Sequence, residues 1–214
     1  MKCQINHHEF ECVALTATHA INYNVEISET SPVVFKNLVN KPCFDNLCEN
    51  GCPNYNKKWS CPPYSPDYCQ YIEGKKFIYT FFLRLDLSQM NYIKNDYLKI
   101  KAANTILKSR MDKFLQHITN QNDYKYISSG SCRLCKPCNK KRELPCAHPN
   151  KMTYSFEALG IDVSKLVNMV FDKPLLWYKK GHLPQYTSIV CGLLTDSQIQ
   201  LPILQNKYID LIIR

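Results

Sequence analysis

The sequence contains no long apolar run. Nowhere do roughly 18 uninterrupted apolar residues occur, the length a membrane-spanning helix needs, so no membrane span is expected. The opening MKCQINHHEFECVAL lacks the apolar core behind a basic start that marks a secretory leader, and none is expected. Glycine is scarce, 6 in 214 residues, and none falls in a G-x-G-x-x-G, Walker or nucleophile-elbow pattern. That excludes fingerprint-type dinucleotide sites, P-loop nucleotide sites and hydrolases built on that elbow. Acidic residues are also short, 18 against 27 Lys and Arg, for a formal net charge of +9. Hydrophobic content of 45% and charged content of 21% nonetheless suit a globular chain rather than a disordered one. The length fits a single domain over residues 1–214.

What the chain has in excess is cysteine, 12 residues of it. Disulfide scaffolds are usually much shorter than this, so a reducing cytoplasm is expected, where clustered thiols mean metal or redox chemistry. The stretch GSCRLCKPCNKKRELPCAHP, Gly130–Pro149, sets Cys132, Cys135 and Cys138 at C-x2-C-x2-C spacing, with Cys146 after seven residues and prolines at 137, 145 and 149. Three thiols spaced this way on a tight turn can each reach a corner of one [4Fe–4S] cube, and a fourth closes the set. Structural zinc more often uses two separated C-x2-C knuckles, which makes zinc the lesser alternative. Upstream, Cys43, Cys48, Cys52 and Cys61 run C-x4-C-x3-C-x8-C, and Pro62 and Pro63 follow directly. Two groups of four predict two [4Fe–4S] clusters. Cys61 and Cys146 are the thiols that could be exchanged between the two clusters, as fourth cysteines are in two-cluster ferredoxins. Each oxidised cluster with its four thiolates carries about −2, so two would offset roughly 4 of the surplus positive charges. The remainder reads as a solvated lysine-rich face, and a nucleic-acid partner is not expected.

Local patterns sketch the rest as α+β: a small mixed sheet, a long amphipathic helix and two cysteine-rich loops, at 43–74 and 130–149. One strand is predicted near Phe10–Thr18. Ser31 and Pro32 predict the start of a helix over Val33–Val39 that stops at Asn40. No helical or strand period continues from Cys43 to Gly74, a segment broken by Pro53, Pro62, Pro63 and Pro66. Metal bonds would have to fold such a loop, and Tyr55, Trp59 and Tyr64 could keep water from it. Lys76–Leu87 is a central strand, continuous in apolarity. Asn91–Asn120 steps its apolar residues by three and four as a long helix, with Lys94, Lys99, Lys101, Lys108, Arg110 and Lys113 on the other face. Asp123–Ser128 completes a strand–helix–strand unit. A helix capped by Asp162 or Ser164 follows, then strands near Pro174–Tyr178 and Tyr186–Leu194, and a tail that reads equally as strand or helix. Cys12 and Cys191 read as buried core thiols, Met90 and Met111 as core, Cys3, His7, His8 and His19 as terminal or surface residues, and Cys69 as a spare thiol.

Three blocks in order, WSCPP at Trp59–Pro63, PCAHP at Pro145–Pro149 and YSFEALGIDV at Tyr154–Val163, resemble the microbial family of predicted metal-binding proteins called domain of unknown function 2284. The resemblance implies metal binding at Cys43, Cys48, Cys52, Cys61, Cys132, Cys135, Cys138 and Cys146, and names no reaction. It leaves Glu157, Gly160 and Asp162 without a role, and Asn139–Lys141 reads as an insert lengthening a surface loop. Three functions remain. An electron-transfer or redox accessory protein would dock an acidic partner. An iron–sulfur enzyme would use an open iron for sulfur or Lewis-acid chemistry on a small substrate, with His148 or Glu157 as acid or base. A structural zinc module would bind a partner instead.

Overall fold

The computed structural model describes residues 6–212. Its frame is one five-stranded sheet: β1 (Asn6–Leu15), β2 (Ala20–Thr30), β3 (Phe77–Asp86), β4 (Lys125–Ile127) and β5 (Tyr186–Thr195), in the order β1-β2-β3-β5-β4. All four ladders are antiparallel. The first two strands form a hairpin paired from Asn6–Glu29 to Leu15–Ala20, so the single strand expected near Phe10–Thr18 is cut at Leu15 by a turn. There the Thr16 N–H donates to the His19 carbonyl at 2.9 Å. The sequence reading missed β2, where Asn22 and Asn24 interrupt an otherwise apolar alternation.

β3 lies at the centre, as its unbroken apolarity predicts, because both of its faces are covered. Tyr79, Phe81, Leu83 and Leu85 face α3 (Asp96–Gln121) and α5 (Leu201–Ile212), while Ile78 and Phe82 join a second core with Phe35, Tyr68, Phe156 and α4 (Val163–Phe171). α3 opens on Asn95, whose side chain accepts the Leu98 N–H. It buries Ala103, Leu107, Met111, Phe114 and Ile118, the expected three-and-four stripe. The tail resolves as helix α5, with Leu204 and Tyr208 buried against α3.

Several local expectations are corrected. Pro32–Leu38 is a 3-10 helix without a side-chain cap from Ser31. Asn40 does not end a helix but begins one: its side chain accepts the Cys43 N–H at 3.2 Å to cap α1 (Lys41–Gly51). Pro42 is tolerated in that first turn because its missing N–H would have no intrahelical partner there. The first cysteine loop is therefore partly helical, and a four-residue helix α2 (Tyr68–Tyr71) closes it. Pro174–Tyr178 is extended but joins no ladder. The strand–helix–strand unit is split: β5 lies between β3 and β4 and runs antiparallel to both. β4 pairs only with Gly192–Leu194, so the first half of β5 has no strand on that side.

Candidate metal centre

α1 carries Cys43 and Cys48, and Cys52 ends it by donating its N–H to the Cys48 carbonyl at 2.9 Å. A run of turns then brings Cys61 to a buried position, 6% exposed, at the foot of the loop. The loop is docked on the fold by Gly160. The Asn40 N–H donates to its carbonyl at 2.7 Å, and a Cβ there would stand 2.7 Å from Lys41 Cα. With φ +89 as well, only glycine suits this contact. Asp162 caps α4 through the Lys165 N–H at 3.0 Å and donates its own N–H to the Leu38 carbonyl at 3.2 Å. These contacts give Gly160 and Asp162 their place: both fasten the loop, and neither faces a thiol.

The two cysteine loops grip each other. Lys58 Nζ donates to Ser131 Oγ at 2.8 Å and to the Cys132 carbonyl at 3.2 Å. The Cys132 N–H donates to Ser60 Oγ at 3.1 Å, and Trp59 Nε1 donates to the Leu144 carbonyl at 2.9 Å. Lys140 sits 5.3 Å from the Trp59 ring centre and 4.8 Å from that of Tyr64, with its ammonium 2.6 Å from Glu143 Oε2. Only 5% of Lys140 is exposed. Asn139–Lys141 is therefore no mere surface lengthening, since it supplies the latch between the loops. Apart from the Lys140–Glu143 pair, none of these partners was legible in the sequence, because each joins residues some 70–85 positions apart.

The thiols fall into two adjoining sets. Burial pushes Cys48 up to about 11, assisted by the neighbouring thiols of Cys52 and Cys61 and the carboxylates of Glu157 and Asp45. Burial also raises Cys61, with Cys52 and Cys138 adding to it, while the Ser60 hydroxyl and Lys58 pull the other way. Cys135 is raised by desolvation and then by Cys138, Cys146 and Cys132. Cys61 thus feels charge from both groups, from Cys52 and from Cys138. Cys43 is exposed, unlike Cys48, Cys52 and Cys61. It lies five positions before Cys48, roughly 140° around a helix of 3.6 residues per turn. Among the described residues no three His, Cys, Asp or Glu side chains converge at metal-ligand distance as they stand.

The remaining candidates lie apart. Cys69 is exposed on α2, where its N–H donates to Asp67 Oδ1 at 2.7 Å. His148 is exposed and makes no side-chain cap. His7 Nε2 donates to Glu26 Oε2 at 3.0 Å, and His19 stacks on Tyr92. Cys12 and Cys191 are buried in the main core, as expected, and burial pushes them to about 11 and about 12. Cys3 lies outside the described residues.

The donor set fits a thiophilic metal. It consists of free thiols in two interlocked loops, with the cations Lys58 and Lys140 at their junction to offset thiolate charge. No helix among the described residues is long and apolar enough to cross a membrane. No curated protein and no solved structure matches the chain. Residues 32–194 match the model of a family described as "Predicted metal-binding protein (DUF2284)". That span runs from the 3-10 helix before α1 to the end of β5 and contains both cysteine loops, so the chain belongs to this family of predicted metal-binding proteins.

Proposed function

We propose that Cys43, Cys48, Cys52, Cys61, Cys132, Cys135, Cys138 and Cys146 hold two [4Fe–4S] clusters, and that the protein serves electron transfer or acts as a redox accessory in a reducing cytoplasm. The observation that carries this reading is the grip between the loops, Lys58 on Ser131 and the Cys132 N–H on Ser60, with Cys138 acting electrostatically on Cys61 across the junction. When bound, clusters at such adjoining sites supply one-electron carriers with a short path between them. The chain's own groups would tune them. Ser60 Oγ lies 4.0 Å from Cys61 Sγ, a weak hydrogen bond to sulfur, and Trp59 and Tyr64 pack edge to face at 4.8 Å as a cover against water.

The basic face of α3 gives little support to docking an acidic partner. Lys99 is buried on Asn91, Lys108 is half-buried, Arg110 bonds the carbonyls of Ile106 and Leu15, and Lys113 bonds the Leu211 carbonyl. Lys94 and Lys101 remain exposed.

One observation favours a second reading, an iron–sulfur enzyme. Cys43 is exposed where Cys48 and Cys52 are half-buried and Cys61 is buried, and the Glu157 carboxylate acts electrostatically on Cys48. Three thiolates would leave one iron open to a small substrate, with a carboxylate beside it. Iron, zinc and acid-labile sulfide analysis of protein purified without oxygen, with paramagnetic resonance after reduction, tests both. About eight iron and eight sulfide per chain are expected; zinc without sulfide in colourless protein would sink both iron readings and leave a structural zinc module. Cys43→Ser separates the two. Loss of about half the iron supports four-thiolate ligation, and full iron content with an unchanged spectrum supports the open site.

A further inference from the structure

A cavity of about 330 Å³ lies where β4 is too short to cover β5, between α3 and α4. That volume is at the small end of the roughly 300–1,000 Å³ typical of ligand sites. Its floor is the unpaired edge of β5 at residues 187–190, where no strand among the described residues uses the outward backbone groups. One wall is an α3 stripe of Ile100, Asn104 and Lys108. The opposite wall is the extended strap 173–178, anchored by Lys173 to Glu26 at 2.7 Å, by the Tyr186 hydroxyl to the Pro174 carbonyl, and by Tyr178 against Tyr97. The strap ends with Trp177 lining the cavity yet 62% exposed, a large apolar surface with nothing on it.

Lys108 and Glu157 inside are of opposite sign, and Asp112 and Arg133 also act electrostatically on Lys108 from outside the cavity. Lys108 is largely withdrawn from water but makes no hydrogen bond or ion pair among the described residues. It reaches to 3.6 Å from where a Gly130 Cβ would stand. Asp112, one turn further along α3, faces Arg133 at 3.7 Å instead. Asn104 Oδ1 accepts the Thr187 hydroxyl at 2.9 Å, which leaves its NH2 free to donate. Glu157 lines the same cavity, also without a side-chain hydrogen bond or an ion pair to Lys108. Two opposite charges kept apart in one half-buried cavity are each costly until a ligand pairs them.

The geometry points to a binding site for a small zwitterion, an α-amino acid with an aromatic or branched apolar side chain. Its carboxylate meets Lys108 and the Asn104 NH2, its ammonium meets Glu157, and its side chain lies on Trp177 and Leu175. This goes beyond the metal reading, and it holds whether the thiols take iron or zinc. The test is isothermal calorimetry on the full chain, with metal content measured on the same sample. The probes are L-phenylalanine, L-leucine, 3-phenylpropionate and phenethylamine. One of the two amino acids is expected to bind with one site per chain, and its singly charged analogues at least ten-fold more weakly. Lys108→Met and Glu157→Gln should each weaken the amino acid at least ten-fold. Trp177→Ala, at an exposed position that cannot break the core, should weaken it several-fold with an unchanged melting temperature. Silence from both amino acids overturns the inference. So does 3-phenylpropionate or phenethylamine binding as tightly as L-phenylalanine, or undiminished binding by Lys108→Met or Trp177→Ala. Because calorimetry reads this site without any cluster, its failure and a failure of the iron reading are separate results.

Discussion

Gly160 concentrates two constraints in one residue, a left-handed backbone and a close approach to Lys41. Gly160→Ala combines backbone strain with a Cβ 2.7 Å from main chain that cannot yield cheaply. The expected loss is about 2–4 kcal/mol in denaturant unfolding, with α1 and its cysteines loosened first. An alanine variant as stable as the parent would refute this role for the contact. Thiols divide just as sharply by environment. Cys12 and Cys191 are 1% and 0% exposed, so neither is expected to react with iodoacetamide at pH 8 in the folded protein, whereas exposed Cys69 should be alkylated, as read by mass spectrometry.

At the scale of elements, the loops and the strap depend on charges drawn from distant strands. Lys140→Met removes the ammonium between Trp59, Tyr64 and Glu143, cation–ring contacts that contribute roughly 0.5–2 kcal/mol each when shielded. Faster amide exchange is expected over 55–66 and 139–146 with little change in overall stability, because the latch is remote from both cores. Chelation of the bound metal should produce the same pattern more strongly, since metal bonds fold such loops in place of apolar burial. Exchange spread evenly over the sheet would contradict both expectations. Glu26 is a harder case. Its side chain is fully buried on β2 and meets Arg84 at 2.8 Å, Lys173 at 2.7 Å and His7 at 3.0 Å. Glu26→Gln removes the buried carboxylate from all three and leaves Arg84 and Lys173 only Glu9 as an acidic partner, and about 3 kcal/mol of stability should be lost, with the strap under Trp177 released.

For the molecule as a whole, alkaline pH is the condition that acts on the core. Cys12 and Cys191 rise from 9.0 to about 11 and about 12, both chiefly by burial, and burial raises Tyr23 too. A raised folded value means that the folded state holds its protons longer than the unfolded one. The stabilisation these groups allow is therefore complete below pH 9 and is lost progressively as pH climbs toward 12. The melting temperature is expected to be level from pH 7 to 9 and to fall above that, with Cys191→Ala showing a shallower fall. An unchanged slope would show that this thiol does not couple to unfolding.

The sequence by itself determined what is local. Cysteine spacing marked two thiophilic loops, the continuous apolarity of Phe77–Asp86 marked a central strand, and the period of Asp96–Gln121 marked the long helix. Each of these signals is carried by residues within a few turns or pleats of one another. Cys12 and Cys191 were legible as core for the same reason, each lying in an apolar run. β2 and the helical start at Asn40 escaped because asparagines mask one and a proline the other. Only tertiary structure decided that Cys61 is buried while Cys43 is exposed, that Lys140 latches the loops, and that a three-residue β4 leaves a cavity lined by Lys108, Glu157 and Trp177. Those outcomes depend on chain segments that meet across one sheet from positions far apart in sequence, and neither spacing nor period encodes such meetings.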